Sequence, residues 1–199
     1  MNRPSPAARP AYWTIPNLLS LLRILLVPFF VSAMLGRRPL AALILFSAAA
    51  LTDFLDGLTA RLLKQRSALG LFLDPVADKL LMTAAFIVCA LPRISVPNAI
   101  PPVLTVVVVA RDVAIALGAL VLRRVVAKKS FAPSLWGKAS TICQMACLFL
   151  VLALNTLRLE PGLPLTILYA LTLAVTAASG GHYFWRGFIA ELRRGRREP

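Results

Sequence analysis

The chain has 199 residues, 59% of them hydrophobic, and a formal charge of +14. Its mean hydropathy of +0.78 is too high for a soluble domain of this length, which excludes an ordinary cytosolic enzyme or a nucleic-acid-binding module despite the basic balance. A helix needs about 20 mostly apolar residues to cross a bilayer, and the sequence supplies six such stretches between Pro- and Arg-rich breaks.

In chain order, residues 1–14 form a short juxtamembrane tail carrying Pro4, Pro6 and Pro10, with Tyr12 and Trp13 at headgroup level. The first candidate span, Ile15–Gly36, contains Arg23 and Pro28. It lacks a small-residue cleavage site and is followed by further spans, so it is expected to be retained rather than removed as a signal peptide. Leu40–Leu63 and Leu71–Leu91 follow, joined by a polar turn with Lys64, Gln65, Arg66 and Ser67. Asn98–Leu122, Leu135–Asn155 and Leu163–Ile189 complete the set, and residues 191–199 form a basic C-terminal tail. The expected fold is an all-α integral membrane protein, one six-helix bundle over residues 15–190. The three cysteines lie in apolar runs without metal-ligand spacing. Cys143 and Cys147 share a helix face and are expected to pack as small hydrophobes rather than pair as a disulfide. His182, alone near the end of the last span, is expected at the interface rather than on a ligand.

Charge sets the orientation. Arg3 and Arg9, then Arg61, Lys64 and Arg66, then Arg123, Arg124, Lys128 and Lys129, and finally Arg193, Arg194, Arg196 and Arg197 fall on alternate connections and the two tails. The other side carries Arg37, Arg38, Arg93 and Arg158. By the positive-inside rule both termini are cytoplasmic. A basic rim beside anionic lipid accounts for the charge, and no nucleic-acid partner is expected.

The chain carries eight acidic residues, and four of them fall within the 26 positions from Asp53 to Asp78, flanked by Leu, Phe, Ala and Val. Carboxylates in such surroundings need a cation or a metal. Asp53 and Asp56 are three apart and Asp74 and Asp78 four apart, so on helices each pair shares a face. Two such faces would offer four hard oxygen donors, suited to Mg²⁺ or Mn²⁺. Gly57 and Ala60 leave the helix bare beside Asp56, so a flat group can approach. Arg61, two turns past Asp53, suits a phosphate. Gly70 admits the chain to the next helix. The competing reading is an ion transporter or scaffold, in which Arg61, Lys79 and Arg111 pair with the acids. It explains less, because the acids at these spacings outnumber the nearby cations.

The run Asp53-x2-Asp56-Gly57-x2-Ala60-Arg61-x8-Gly70-x3-Asp74-x3-Asp78 resembles, position for position, the signature of the CDP-alcohol phosphatidyltransferases, integral membrane enzymes of six helices. That resemblance implies two divalent cations on Asp53, Asp56 and Asp74, with Asp78 at the edge of the metal site as the general base for the acceptor hydroxyl. Gly57, Ala60 and Gly70 would make room for the cytidine of the CDP-linked donor. Arg61 and Ser67 would lie near its phosphates or ribose, and Asn17 and Ser20, in a segment similar to the family's first helix, would face the nucleotide. A homodimer and a bacterial inner-membrane location with a cytoplasmic active site are also implied.

Two branches resemble the chain. Pro16–Arg23, Leu73–Lys79, Gly137-Lys138 with Gln144-Met145, and Ser179-Gly180 are similar to phosphatidylglycerophosphate synthases, which use CDP-diacylglycerol and glycerol 3-phosphate. Arg111-Asp112-Val113 and Ser67–Gly70 are more similar to cardiolipin synthases, whose acceptor is phosphatidylglycerol. Glycerol 3-phosphate is the expected acceptor, with Arg111 and Lys138 as ligands of its phosphate. Alternatively Arg111 pairs with Asp112 and Lys138 reaches for the interface.

Overall fold

A computed structural model describes residues 15–62, 70–125 and 135–195, all of them in helices or the short turns between helices. Six helices follow one another: α1 Ile15–Leu35, α2 Pro39–Leu62, α3 Gly70–Cys89, α4 Pro102–Val125, α5 Leu135–Leu157 and α6 Leu163–Gly195. Among the described residues three stretches are long and apolar enough to cross a membrane by length and composition: Asn17–Leu35, Leu135–Leu157 and Leu163–Tyr183. α4 starts at Pro102 rather than at Asn98, because Pro suits a first helical position and Asn98 is used elsewhere. α6 runs on to Gly195, so the first five residues of the expected C-terminal tail are helical. The tail before Ile15, with Tyr12 and Trp13, and the turn holding Lys64 and Ser67 lie outside the described residues.

The chain divides into two compact units at Ala84–Ala85. In the first, α1 and α2 form an antiparallel hairpin. Its turn is a helix C-cap with Arg37 in the left-handed region at φ 53°. Arg38 N donates to Ala33 O at 2.9 Å and Arg37 N to Met34 O at 2.9 Å, which satisfies carbonyls at the end of α1. The buried face of α1 runs Asn17, Ser20, Arg23, Val27, Phe30, Met34, and that of α2 Ala42, Phe46, Ala49. These steps of three and four residues are the helical repeat. The rings of Phe30 and Phe46 meet at 6.2 Å, and the two alanines let the helices approach closely. Leu18, Leu21, Leu25 and Phe29 of α1 and Ile44, Leu51 and Phe54 of α2 point outward. An apolar exterior of this kind marks a surface made for lipid.

The second unit holds the end of α3 with α4, α5 and α6, and α6 packs on both α4 and α5. A polar clamp fixes the α3–α4 connection to the end of α5. Asn155 Oδ1 accepts from Asn98 N at 2.8 Å and from Asn98 Nδ2 at 3.1 Å. Its Nδ2 donates to Ser95 Oγ and to Asn98 O, both at 2.9 Å. Ser95 Oγ also donates to Asn98 O at 2.6 Å, and Asn98 Nδ2 to Leu159 O at 2.9 Å. α5 ends as α1 does, with Arg158 at φ 55° and Leu159 N donating to Leu154 O at 3.0 Å. Farther along, Ser140 and Thr176 hydroxyls share a 2.9 Å hydrogen bond, and Gln144 Nε2 donates to Ser140 Oγ at 3.0 Å and Thr176 Oγ1 at 3.3 Å. Such hydrogen bonds tie α5 to α6 where no hydrophobic effect between helices operates. The cysteines are free thiols, Cys89 and Cys147 buried and Cys143 half-buried, and none pairs.

Candidate active site

Asp53, Asp56, Gly57, Ala60 and Arg61 all lie on the last three turns of α2, and Gly70, Asp74 and Asp78 on the first half of α3. Both acid pairs are therefore on helices, as their spacing requires. Pro75 sits past the first turn of α3, so the Leu71 carbonyl has no i+4 donor there. Of the signature side chains, those of Asp53 and Asp78 are described. Those of Asp56, Ala60, Arg61 and Asp74, and the whole of Ser67, fall outside the described set.

Asp53 is half-exposed and forms an ion pair with Arg23, whose Nη1 lies 2.8 Å from Asp53 Oδ1; the two side chains are 1% and 49% exposed. Asp78 is half-buried and has a partner of its own. Among the described residues no three metal-ligating side chains converge. The donor chemistry nevertheless fits a hard divalent cation: Asp53 offers a half-exposed carboxylate, a hard oxygen donor.

Arg23 is not among the partners that the sequence suggests for the acids, which are Arg61, Lys79 and Arg111. The signal was available in the steps Asn17, Ser20, Arg23, Val27, which place three polar side chains on the face of α1 that packs on α2. Asn17 and Ser20 are buried on this face at 6% and 0% exposure, and each has a partner.

The expected acceptor ligands sit in the other unit and differ from each other. Lys138, on the first turn of α5, is exposed. Arg111 is buried in α4, where its Nη1 donates to Asp112 Oδ1 at 2.7 Å and its Nη2 to Ser179 Oγ of α6 at 2.9 Å. Its guanidinium also lies 6.0 Å from the centre of the Tyr183 ring. Two of its nitrogens are thus engaged within the protein, and Asp112 balances the charge. His182 is half-buried, edge-on to Tyr183 at 6.4 Å.

Comparison with known proteins identifies the family of the chain. The family model for CDP-alcohol phosphatidyltransferase matches residues 13–178. The human protein named cardiolipin synthase (CMP-forming) is 33% identical over 202 residues, 92% of this chain and 65% of the relative. Two bacterial proteins named CDP-diacylglycerol--glycerol-3-phosphate 3-phosphatidyltransferase are also similar. That of Pectobacterium atrosepticum is 36% identical over 143 residues, 70% of this chain and 77% of its own. That of Haemophilus influenzae is 33% identical over 139 residues, 68% and 74%. The chain spans 65% and 62% of the length of the human and rat cardiolipin synthases it matches. A match that runs from the start of α1 into α6 and contains the whole acid run places this chain in the CDP-alcohol phosphatidyltransferase family.

Proposed function

We propose that the protein transfers the phosphatidyl group of CDP-diacylglycerol to a glycerol hydroxyl of a phosphate-bearing acceptor, releasing CMP. The observation that carries this is the acid run on α2 and α3 within a chain of this family. Two divalent cations, Mg²⁺ or Mn²⁺, held by Asp53, Asp56 and Asp74 with Asp78 at the edge, would neutralise the donor's diphosphate. Asp78 takes the proton from the acceptor hydroxyl as its oxygen bonds to the phosphatidyl phosphorus. The bond from that phosphorus to the CMP oxygen breaks, and CMP leaves. Gly57, Ala60 and Gly70 admit the cytidine, Arg61 and Ser67 hold donor phosphate or ribose, and Asn17 and Ser20 support the nucleotide from α1. The reading of six spans rests on the six apolar stretches, and that of cytoplasmic termini and a cytoplasmic site on the distribution of Lys and Arg.

For the acceptor, phosphatidylglycerol moves ahead of glycerol 3-phosphate, giving cardiolipin. Glycerol 3-phosphate carries a phosphomonoester close to doubly charged, whereas phosphatidylglycerol carries a singly charged diester. Of the two expected acceptor ligands, Arg111 is engaged by Asp112 and Ser179 and Lys138 is exposed, a single available charge of this pair that suits the diester. The similarity to the human relative over 92% of the chain supports the same choice. Glycerol 3-phosphate is the second reading, favoured by the bacterial relatives, of whose length the chain covers 74% and 77%.

The test offers purified protein labelled CDP-diacylglycerol with either acceptor, with and without chelator. Chelator-sensitive CMP release with phosphatidylglycerol, and a phosphatase-resistant four-chain lipid, is expected. A product formed only from glycerol 3-phosphate, bearing a phosphatase-labile monoester, would establish the second reading. No CMP release with any alcohol would reject the activity.

A further inference from the structure

Arg23 lies seven residues before Phe30 on α1, and Asp53 seven residues after Phe46 on α2. The antiparallel pair whose rings meet at Phe30–Phe46 therefore brings Arg23 and Asp53 together two turns further along the same interface. Val27 and Ala49, both buried, fill the layer between. The ion pair is thus fixed by the packing of the hairpin rather than by chance contact of two long side chains.

The two partners differ sharply in exposure, 1% for Arg23 and 49% for Asp53. Burying a guanidinium in an apolar helix is unfavourable, and pairing it with a half-exposed carboxylate recovers little of that as stability. An ionisable residue retained in such a place is by default a functional one. What the arrangement does provide is placement: a guanidinium held by packed neighbours keeps its Nη1 2.8 Å from Asp53 Oδ1 as an ion pair, while the carboxylate stays half-exposed.

We propose that Arg23 is a positioning residue for the metal site, holding the Asp53 carboxylate in place so that it meets a divalent cation without rearrangement. This rests on the reading of Asp53 as a metal ligand. Groups that orient metal ligands from behind typically change metal affinity about 10–100-fold when removed, and a preorganised ligand loses less freedom on binding.

The test titrates Mn²⁺ into the full chain in detergent, following free Mn²⁺ by electron paramagnetic resonance, with neither donor nor acceptor present. Arg23→Met should weaken binding by about 10–100-fold. Arg23→Lys, which keeps the charge and loses the planar donor, should fall between wild type and Asp53→Asn. Adding Arg23→Met to Asp53→Asn should weaken binding little further, because the two act through one carboxylate. If Asp53→Asn weakens Mn²⁺ binding while Arg23→Met binds as wild type or more tightly, the positioning role is overturned and Asp53 stands as a ligand. If Asp53→Asn itself binds Mn²⁺ as wild type, the metal reading of Asp53 fails, and the role of Arg23 with it. Should Arg23→Met fail to fold, Arg23→Lys decides: wild-type affinity overturns the proposal, intermediate affinity supports it.

Discussion

Arg111 and Asp112 offer the sharpest test of how the second unit is held. The two side chains are buried, 2.7 Å apart, and Ser179 adds a hydrogen bond from the neighbouring helix. Asp112→Asn keeps the shape of the side chain but leaves a buried guanidinium without its balancing charge. Breaking one partner of a buried pair costs about 3–5 kcal/mol, and for a chain of this length each kcal/mol moves the melting temperature by about 2–4 °C. The apparent Tm should therefore fall by about 6–20 °C. Cys89 and Cys147 are buried free thiols, so in a Cys143→Ala background, which lacks the half-buried thiol, a thiol-reactive fluorogenic dye reads the opening of this unit. Ser179→Ala removes a single charge-assisted bond, worth about 1.5–3 kcal/mol, and should shift Tm less. Arg111→Met combined with Asp112→Leu removes both charges and should recover most of the loss, since an apolar pair of similar volume often replaces a buried ion pair without penalty. An Asp112→Asn protein that melts with wild type would show that the pair contributes nothing, and Arg111 would return as a free candidate for the acceptor phosphate.

Asp78→Asn should lower turnover by about 10²–10⁴ with donor affinity retained, since general-base catalysis acts in the transition state; normal turnover with greatly weakened binding of CDP-diacylglycerol would assign it a different role. Asn155→Leu deletes four hydrogen bonds and strips the Asn98 N–H of its acceptor, while Ser95 and Leu159 keep their bonds to Asn98. A loss of about 2–4 kcal/mol is expected, seen as a lower apparent Tm and faster proteolysis of the α3–α4 connection; an unchanged melt would mean the clamp is not structural.

The helices were legible because apolar length is a one-dimensional property. Six stretches read from composition correspond to six helices whose ends shift by up to a few residues. The largest shifts have local causes: Asn98 leaves α4 to join the clamp, and α6 continues through a basic end that hydropathy alone treats as a tail. Placing the acids on α2 and α3 was likewise legible, because steps of three and four residues need only a helix. Pairings across helices were not. Arg23 meets Asp53 through a register set by Phe30 and Phe46, 16 positions apart in sequence, and nothing local to either charge announces it. The partners of Asn155 and Ser179 were hidden for the same reason, since a polar residue in an apolar run reads alike whether it clamps a loop, pairs with a neighbouring helix or faces lipid.

Two arginines close helices where glycine is the usual residue: Arg37 after α1 and Arg158 after α5, both at positive φ. A side chain in that region is strained by about 1–2 kcal/mol, part of which the attraction of a cation to a helix C-terminus offsets. In the orientation proposed for this chain, both lie on the sparsely basic side. Each is a charge set against the negative end of a helix, so its replacement by glycine would relieve the backbone strain but forfeit that attraction, and the cap would gain less than the strain alone.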